Sequence, residues 1–171
     1  MRTKGAAAAG SSLFFALAPG VAAGIVPWLL TRWDVREPAS WWGPLRVVGA
    51  LLVVAGAAFL VHAFARFVTE GLGTPAPVAP TRRLVVGGIY RYLRNPMYVA
   101  VTATIVGQAL LLGQLGLLAY AALFVGVTAA FVKGYEEPTL ARTFGAEYEE
   151  YRRAVPGWWP RRRPWRPRGQ Q

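Results

Sequence analysis

Four long apolar stretches dominate the chain, and short polar segments separate them. The stretches cover residues 12–31, 45–67, 98–112 and 115–133. A helix needs about 20 apolar residues to cross a bilayer, so the first two stretches are long enough and the third needs the residues from 95 onward. Because only Gly113 and Gln114 separate the last two stretches, they are expected to form a tight helical hairpin. The pattern predicts an all-α integral membrane protein with four transmembrane helices.

A cytoplasmic amphipathic helix is predicted near the C-terminus. Pro138 is typical of a helix start, and the apolar residues after it are spaced by 4, 4, 3 and 4 positions, which places them on one helical face. Those residues are Leu140, Phe144, Tyr148, Tyr151 and Val155. Such a helix can lie on a membrane surface. Gly145 interrupts it, which predicts a bend or a close backbone approach.

The composition agrees with a membrane protein. The chain has 171 residues, of which 54% are hydrophobic and 16% are charged. It contains no cysteine, which excludes disulfides, thiolate zinc sites and cysteine nucleophiles. The single histidine, His62, argues against a histidine-based metal site, so we predict no metal. We expect both His62 and Gln108 to face a neighbouring helix.

The net charge of +11 is distributed unevenly along the chain. Basic residues lie beside the apolar stretches, which favours anionic lipid headgroups over nucleic acid as their partner. If the four stretches cross the membrane in alternation, 16 of the 19 lysines and arginines fall on one side. The positive-inside rule places that side, with both termini, in the cytoplasm of a bacterial-type inner membrane. The first stretch follows Arg2 and Lys4 as a signal peptide would, but three further spans favour a membrane anchor.

Three regions follow from these patterns. Residues 1–70 hold two N-terminal transmembrane helices, residues 71–160 hold a core with the helical hairpin, and residues 161–171 form a basic tail. After Pro156 the arginines alternate with prolines and tryptophans, which predicts a disordered segment that is retained on anionic lipid. A specific partner site is the alternative for this tail.

Two polar motifs flank the predicted hairpin. The first, which we call the tyrosine–arginine motif, covers residues 88–98 and reads Gly-Ile-Tyr-Arg-Tyr-Leu-Arg-Asn-Pro-Met-Tyr. The second is the pair Glu136-Glu137, just after the fourth apolar stretch. A tight hairpin returns the chain to the side it left, so the two motifs are expected to meet at one membrane face. Asn95-Pro96 is a helix-start signal whose unpaired N–H groups can bind an anion, and the alternative is that Asn95 serves only as a cap.

These motifs resemble the isoprenylcysteine carboxyl methyltransferase and phospholipid methyltransferase superfamily. The resemblance covers roughly residues 73–160, and it rests on the order of the two motifs around a short hairpin and on matching residues after them. The later residues are Leu140, Phe144, Gly145, Tyr148, Tyr151, Arg152, Val155 and Pro156. The resemblance implies an integral membrane methyltransferase that binds S-adenosylmethionine in a cytoplasmic pocket.

The resemblance also implies a set of site residues. The cofactor-binding positions are Arg82, Arg83, Leu84, Val85, Tyr90, Asn95, Pro96, Met97, Tyr98 and Glu136. The candidate catalytic residues are Glu137, as a base for an amine acceptor, and Arg94, as a cation beside the cofactor's carboxylate. The eukaryotic carboxyl methyltransferases have His where Asn95 stands and an arginine near Val132, where the nearest cation in this chain is Lys133. A prenylcysteine substrate is therefore not supported.

The predicted function is transfer of a methyl group from S-adenosylmethionine to a lipophilic small molecule or lipid. The acceptor enters from the membrane and the cofactor enters from the cytoplasm. The acceptor atom, whether O, S, N or C, and the oligomeric state stay open. Two alternatives are an NADPH-dependent membrane reductase of the sterol-reductase type and a non-catalytic membrane scaffold. Four spans, rather than the larger set of those reductases, argue against the first alternative.

Overall fold

The computed structural model describes residues 18–71 and 83–166, and neither range contains a strand. The helices are α1 (Ala18–Thr31), α2 (Gly43–Gly71), α3 (Pro96–Leu112), α4 (Gly116–Phe131), α5 (Glu137–Phe144) and α6 (Ala146–Ala154). A short 3₁₀ helix, Gly88–Arg91, precedes α3. The predicted all-α class is therefore confirmed for the described residues.

Among the described residues, two helices are long and apolar enough to cross a membrane. They are Gly43–Phe67, with 25 residues, and the continuous helix Gly116–Phe144, with 29 residues. The helices α1 and α3 are apolar but shorter, and residues 12–17 of the first predicted span lie outside the described residues. These lengths agree with a membrane protein, whereas the four-span arrangement and its hairpin stay predictions.

Two π turns interrupt the α-helical pattern, and each ends two residues before a proline. The turn Val21–Ile25 precedes Pro27, and the turn Val132–Glu136 precedes Pro138. A proline has no N–H to donate, and its ring crowds the carbonyl four residues earlier, so a widened turn relieves the clash. The predicted α-helix is present, since α5 begins at Glu137 with Pro138 in its first turn. It is not a separate helix, however, because the chain stays helical from α4 through the π turn into α5.

The chain divides into two compact units, which we call the helical unit and the site unit. The helical unit comprises Phe15–Leu60 and Met97–Ala129. Its core cluster is made of Val101, Ile105, Ala109, Leu117 and Ala121, which come from α3 and α4. Residues 113–115 connect these two helices. Gly113 has φ +66°, and a Cβ at this position would overlap the carbonyl of Arg36, so the turn requires glycine.

A buried glutamine ties α3 to α1 within the helical unit. The Gln108 amide donates a hydrogen bond to the carbonyl of Ala23 at 2.6 Å. Ala23 lies four residues before Pro27, which cannot donate to that carbonyl, so the glutamine satisfies an acceptor that the proline leaves open. The expectation that Gln108 faces a helix partner is confirmed. His62 is exposed among the described residues, against the expectation that a neighbouring helix covers it.

The site unit takes its described residues from Val61–Pro96 and Ala130–Gln171. Tyr148, Tyr151 and Val155 form its core cluster, and Leu140 and Phe144 are among the side chains packed against it. The predicted apolar face is therefore confirmed. Gly145 has φ 52° and separates α5 from α6, which confirms the predicted bend.

The prediction of a disordered tail after Pro156 is wrong as far as residue 166. Residues 155–166, which we call the strap, run along the tyrosine–arginine motif and bond to its backbone. Arg94 N–H donates to the Pro156 carbonyl at 3.0 Å, and Trp165 N–H donates to the Arg91 carbonyl at 2.9 Å. The Trp165 ring packs 5.4 Å from the Tyr151 ring. These contacts supply the apolar burial and backbone pairing that composition alone does not reveal. Residues 167–171 of the predicted tail lie outside the described residues.

Candidate active site

Glu70, near the end of α2, anchors the start of the tyrosine–arginine motif. Its carboxylate accepts hydrogen bonds from the backbone N–H of Gly87 at 2.8 Å and from the Arg66 guanidinium at 3.0 Å. A Cβ at Gly87 would overlap the Glu70 carboxylate, and a Cβ at Gly88 would lie 2.8 Å from Arg66 Nε. Gly88 also has φ +55°. The two glycines therefore let the backbone approach this ion pair closely.

Tyr90 is buried in the 3₁₀ helix and is bound through both its hydroxyl and its carbonyl. The hydroxyl donates to the Ala63 carbonyl in α2 at 3.4 Å. The Tyr90 carbonyl accepts a hydrogen bond from the Tyr151 hydroxyl in α6 at 2.7 Å. Its ring lies 6.4 Å from the Phe67 ring. These contacts hold the 3₁₀ helix between the end of α2 and α6.

Arg94 connects the motif to α5, α6 and the strap. Its Nη1 donates to Glu137 Oε1 at 2.6 Å and to the Tyr148 hydroxyl at 3.1 Å. Its Nε donates to the Val155 carbonyl at 2.9 Å. The side chains of Arg94 and Glu137 are only 13% and 15% exposed, so this ion pair is screened less than a surface pair. The predicted meeting of the two motifs is observed at this contact.

The glutamate pair lies where the π turn passes into α5. Glu136 is the last residue of the π turn and Glu137 is the first residue of α5. A π turn carries one more residue than an α-helical turn, so it resets the direction in which both carboxylates leave the helix. Glu137 Oε2 lies 3.5 Å from Arg152 Nη2, and the Arg152 side chain is 46% exposed. Glu136 is half-buried.

Asn95 carries a buried donor beside this network. The residue is 6% exposed and immediately precedes α3. Its backbone N–H donates to the Gly157 carbonyl of the strap at 3.1 Å. Its side-chain Nδ2 is buried and has no hydrogen-bond partner among the described residues. A Cβ built at Gly157 would lie 3.2 Å from Arg94 Nη2 and 3.3 Å from Asn95 Nδ2, so both donors face the same stretch of the strap.

The pKa values of two tyrosines of α6 are raised in this environment. Burial raises the pKa of Tyr148, and the Glu137 carboxylate adds to that effect while Arg94 and Arg152 oppose it. Burial raises the pKa of Tyr151 strongly. Both phenols therefore stay protonated at neutral pH, so the Tyr151 hydroxyl remains a donor to the Tyr90 carbonyl.

Most of the predicted site residues lie in the site unit. Besides those described above, Leu84 packs against the α6 cluster and Val85 is buried. Pro96 is buried as the first residue of α3. Arg83 is exposed, and Arg82 lies outside the described residues. Met97 and Tyr98 belong to the helical unit, where both are half-buried.

Several contacts of the site were not predicted from the sequence. Glu70 and Arg66 are spaced four apart at the end of an apolar helix, which is a detectable ion-pair signal. The sequence pattern places Tyr148 in an amphipathic helix and Arg152 only in the resemblance, yet both contact the Arg94–Glu137 pair. The strap carried no signal beyond its tryptophans, because its bonds to the motif run through the backbone.

The described residues thus form an all-helical structure with two helices of membrane-spanning length and a charged, largely buried ion pair between Arg94 and Glu137. A family model described as phospholipid methyltransferase matches residues 44–147, and the chain belongs to that family. The match confirms the resemblance to the wider superfamily of membrane methyltransferases and extends it to α2, which shows no signature of its own. No curated protein matches the chain, and no solved structure matches it.

Proposed function

We propose that the protein is an S-adenosylmethionine-dependent methyltransferase that acts on a lipophilic acceptor at the cytoplasmic surface of a membrane. Family membership supports a methyltransferase. The observation that carries the cofactor assignment is the buried Asn95 Nδ2, a donor with no partner among the described residues, beside the Arg94 guanidinium. A buried donor without an acceptor is costly, so a ligand that supplies an acceptor here gains affinity.

The residues of the site fit the charges of S-adenosylmethionine. The cofactor has a carboxylate, which suits the donors of Asn95, Arg94 and the start of α3. It also has an ammonium and a sulfonium, which suit the carboxylate of Glu136 and the aromatic faces of Tyr90 and Tyr98. Arg83, Leu84 and Val85, together with Arg82, Pro96 and Met97, complete the proposed binding segment. When bound, this cofactor supplies an electrophilic methyl group.

The role of the chain's residues is to align that group with the acceptor. Methyl transfer is an in-line displacement, in which orientation supplies much of the rate. A carboxylate or thiolate acceptor needs no base, whereas an amine acceptor does. Glu137 is our candidate base, and its Oε2 is the oxygen that would take the proton, because Oε1 is held by Arg94 at 2.6 Å while Oε2 has the longer 3.5 Å contact to Arg152.

Binding of the cofactor can be tested on the purified full chain by isothermal titration calorimetry. Wild-type protein should bind S-adenosylmethionine, and Asn95→Asp, which keeps the side-chain shape but removes the donor, should bind about tenfold more weakly. Asn95→Asp also adds a charge at a position that is 6% exposed, so Asn95→Leu, which removes the donor without adding a charge, should weaken binding to a similar extent. Absence of binding in the wild type overturns the proposal, and binding of NADPH in its place supports the reductase.

The cytoplasmic orientation follows from the bias of lysines and arginines and has its own test. The chain has no cysteine, so single cysteines can report exposure to a membrane-impermeant maleimide. Thr143→Cys in α5 should react only after cell lysis, and Leu115→Cys between α3 and α4 should react in intact cells, since both positions are exposed. The opposite labelling pattern would reverse the orientation.

Incubating membranes with radiolabelled S-adenosylmethionine and identifying the labelled lipid would reveal the acceptor.

A further inference from the structure

The strap has two faces with different chemistry. Its inner face bonds to the backbone of the tyrosine–arginine motif, as described above, and Arg161 N–H adds a further bond to the Tyr92 carbonyl at 3.0 Å. Its outer face exposes Trp159, Arg162, Arg163 and Arg166. The Trp159 side chain is 80% exposed, which is a large apolar surface to leave in water. The strap contains no acidic residue that would neutralise its arginines.

The strap belongs to the same unit as the C-terminal ends of both candidate membrane spans. The strap belongs to the site unit, which α2 enters at Val61 and the long helix Gly116–Phe144 enters at Ala130. Both candidate spans therefore end in the unit that carries the strap. Tryptophan rings are favoured at the level of lipid headgroups, and arginines beside them attract anionic lipids.

We propose that the outer face of the strap binds anionic lipid headgroups and that this binding holds the strap on the tyrosine–arginine motif. The coupling is direct, because the same segment of 12 residues that presents the arginines also bonds to Arg94 and Asn95 through their backbone N–H groups. A membrane rich in anionic lipid then stabilises the closed strap and raises the affinity for the ligand beneath it. The second part rests on the proposed function, while the lipid-binding part does not.

Hydrogen exchange of the full chain in lipid nanodiscs tests the lipid-binding part without cofactor. The probes are nanodiscs of phosphatidylcholine alone or with an added fraction of phosphatidylglycerol. The backbone N–H groups of Arg94, Asn95, Arg161 and Trp165 bond across the strap. Each arginine near an anionic surface strengthens binding about fivefold, so these amides should exchange about five- to 25-fold more slowly with phosphatidylglycerol. Equal exchange in both nanodiscs overturns the proposal.

A charge-matched pair of variants distinguishes the outer face from general electrostatics. Arg162→Gln with Arg163→Gln removes two outer-face arginines, and Arg142→Gln with Arg153→Gln removes two exposed arginines from α5 and α6. The first double variant should lose the protection by phosphatidylglycerol and the second should keep it. If both lose it equally, the strap is not the lipid-binding surface. If inorganic phosphate in phosphatidylcholine nanodiscs reproduces the protection, the face binds a free anion and the membrane proposal is wrong.

Calorimetry with S-adenosylmethionine in the same two nanodiscs tests the coupling. The affinity should be several-fold higher with phosphatidylglycerol, and the Arg162→Gln, Arg163→Gln variant should abolish that difference. Lipid-dependent exchange together with lipid-independent cofactor affinity would overturn the coupling while leaving the surface intact. No cofactor binding in either nanodisc would overturn the proposed function, and the exchange result would still decide the lipid-binding part.

Discussion

Arg94 and Glu137 lie 43 residues apart in the sequence, and their side chains form a largely buried ion pair with an N–O distance of 2.6 Å. The pair joins the residue two positions before α3 to the first residue of α5. The same guanidinium also donates from Nε to the Val155 carbonyl and from Nη1 to the Tyr148 hydroxyl. One guanidinium therefore sets the position of three segments that are distant in sequence.

Removal of either partner of this pair should destabilise the protein. Arg94→Ala leaves the Glu137 carboxylate largely buried with only the more exposed Arg152, 3.5 Å away, as a partner. Glu137→Ala leaves a buried guanidinium, so each variant should cost about 3 kcal/mol. The double variant should cost about 1–3 kcal/mol less than the sum, because neither charge is then left unpaired. Unfolding by denaturing detergent, followed by circular dichroism, measures all three variants.

The control for this cycle is Arg152→Gln. Its side chain is 46% exposed and lies 3.5 Å from Glu137, so its loss should change the free energy of unfolding by less than about 0.5 kcal/mol. Additive costs for Arg94→Ala and Glu137→Ala would show that the two side chains are not coupled.

Glu70 should position the motif through its acceptor oxygen. Glu70→Ala removes the acceptor of the Gly87 N–H and should cost about 1–2 kcal/mol of stability and weaken ligand binding. Glu70→Gln keeps an acceptor oxygen and should restore most of the binding, although it loses the charge that pairs with Arg66. Gly87→Ala should be about as damaging as Glu70→Ala, because its Cβ would overlap the Glu70 carboxylate and displace it from the Gly87 N–H. Thermal unfolding and calorimetry with S-adenosylmethionine measure both effects.

Two results would contradict this assignment. If Glu70→Gln is as defective as Glu70→Ala, then the charge on Glu70, rather than its hydrogen bond to Gly87, carries the effect. If Gly87→Ala is tolerated, then the backbone does not need the close approach that the structure shows.

The sequence predicted the parts of the site that depend on local patterns. Apolar spacing is a property of neighbouring residues, so it correctly placed Tyr148 and Tyr151 on the buried face of α6. The meeting of Arg94 with Glu137 also followed from chain connectivity. The π turn before Pro138 was not predicted, because a proline that starts a helix and a proline that widens a turn have the same local signature.

The ordered conformation of the strap was not predicted, for a different physical reason. Its composition, rich in Arg and Pro, is typical of disorder, because charged residues and prolines favour a solvated, extended backbone. The structure compensates with backbone hydrogen bonds to the motif and with burial of Val155 and Trp165 against α6. Such partners are distant in sequence and mostly made by backbone atoms, so no residue pattern encodes them.

Gln108 should stabilise the helical unit without affecting the site. Gln108→Leu removes the hydrogen bond to the Ala23 carbonyl, which Pro27 cannot replace, and should cost about 1 kcal/mol. Because the hydrogen bonds of Gln108 go to the carbonyls of Ala23 and Thr104, which are outside the proposed binding residues, cofactor affinity should stay unchanged. Thermal unfolding in detergent and calorimetry measure the two quantities. A stability equal to wild type would show that the Ala23 carbonyl finds another donor, and a loss of affinity would place Gln108 in the binding machinery.

Alkaline pH should destabilise the site unit through Tyr148 and Tyr151. Burial raises the pKa of both phenols above the ordinary value of 10.0, so the folded chain holds these protons more tightly than the unfolded chain. The stability that this difference supplies is complete below pH 10.0 and declines as the pH rises toward the pKa of the folded state.

Tyr151→Phe should lower stability by about 1 kcal/mol at neutral pH, since it loses the hydrogen bond to the Tyr90 carbonyl, and should flatten the alkaline decline. Tyr135→Phe is the control, because it removes a tyrosine that is 46% exposed and lies outside the cluster. Thermal unfolding between about pH 8 and pH 12 measures the profile, and a Tyr151→Phe profile as steep as the wild type would assign the alkaline loss to other groups.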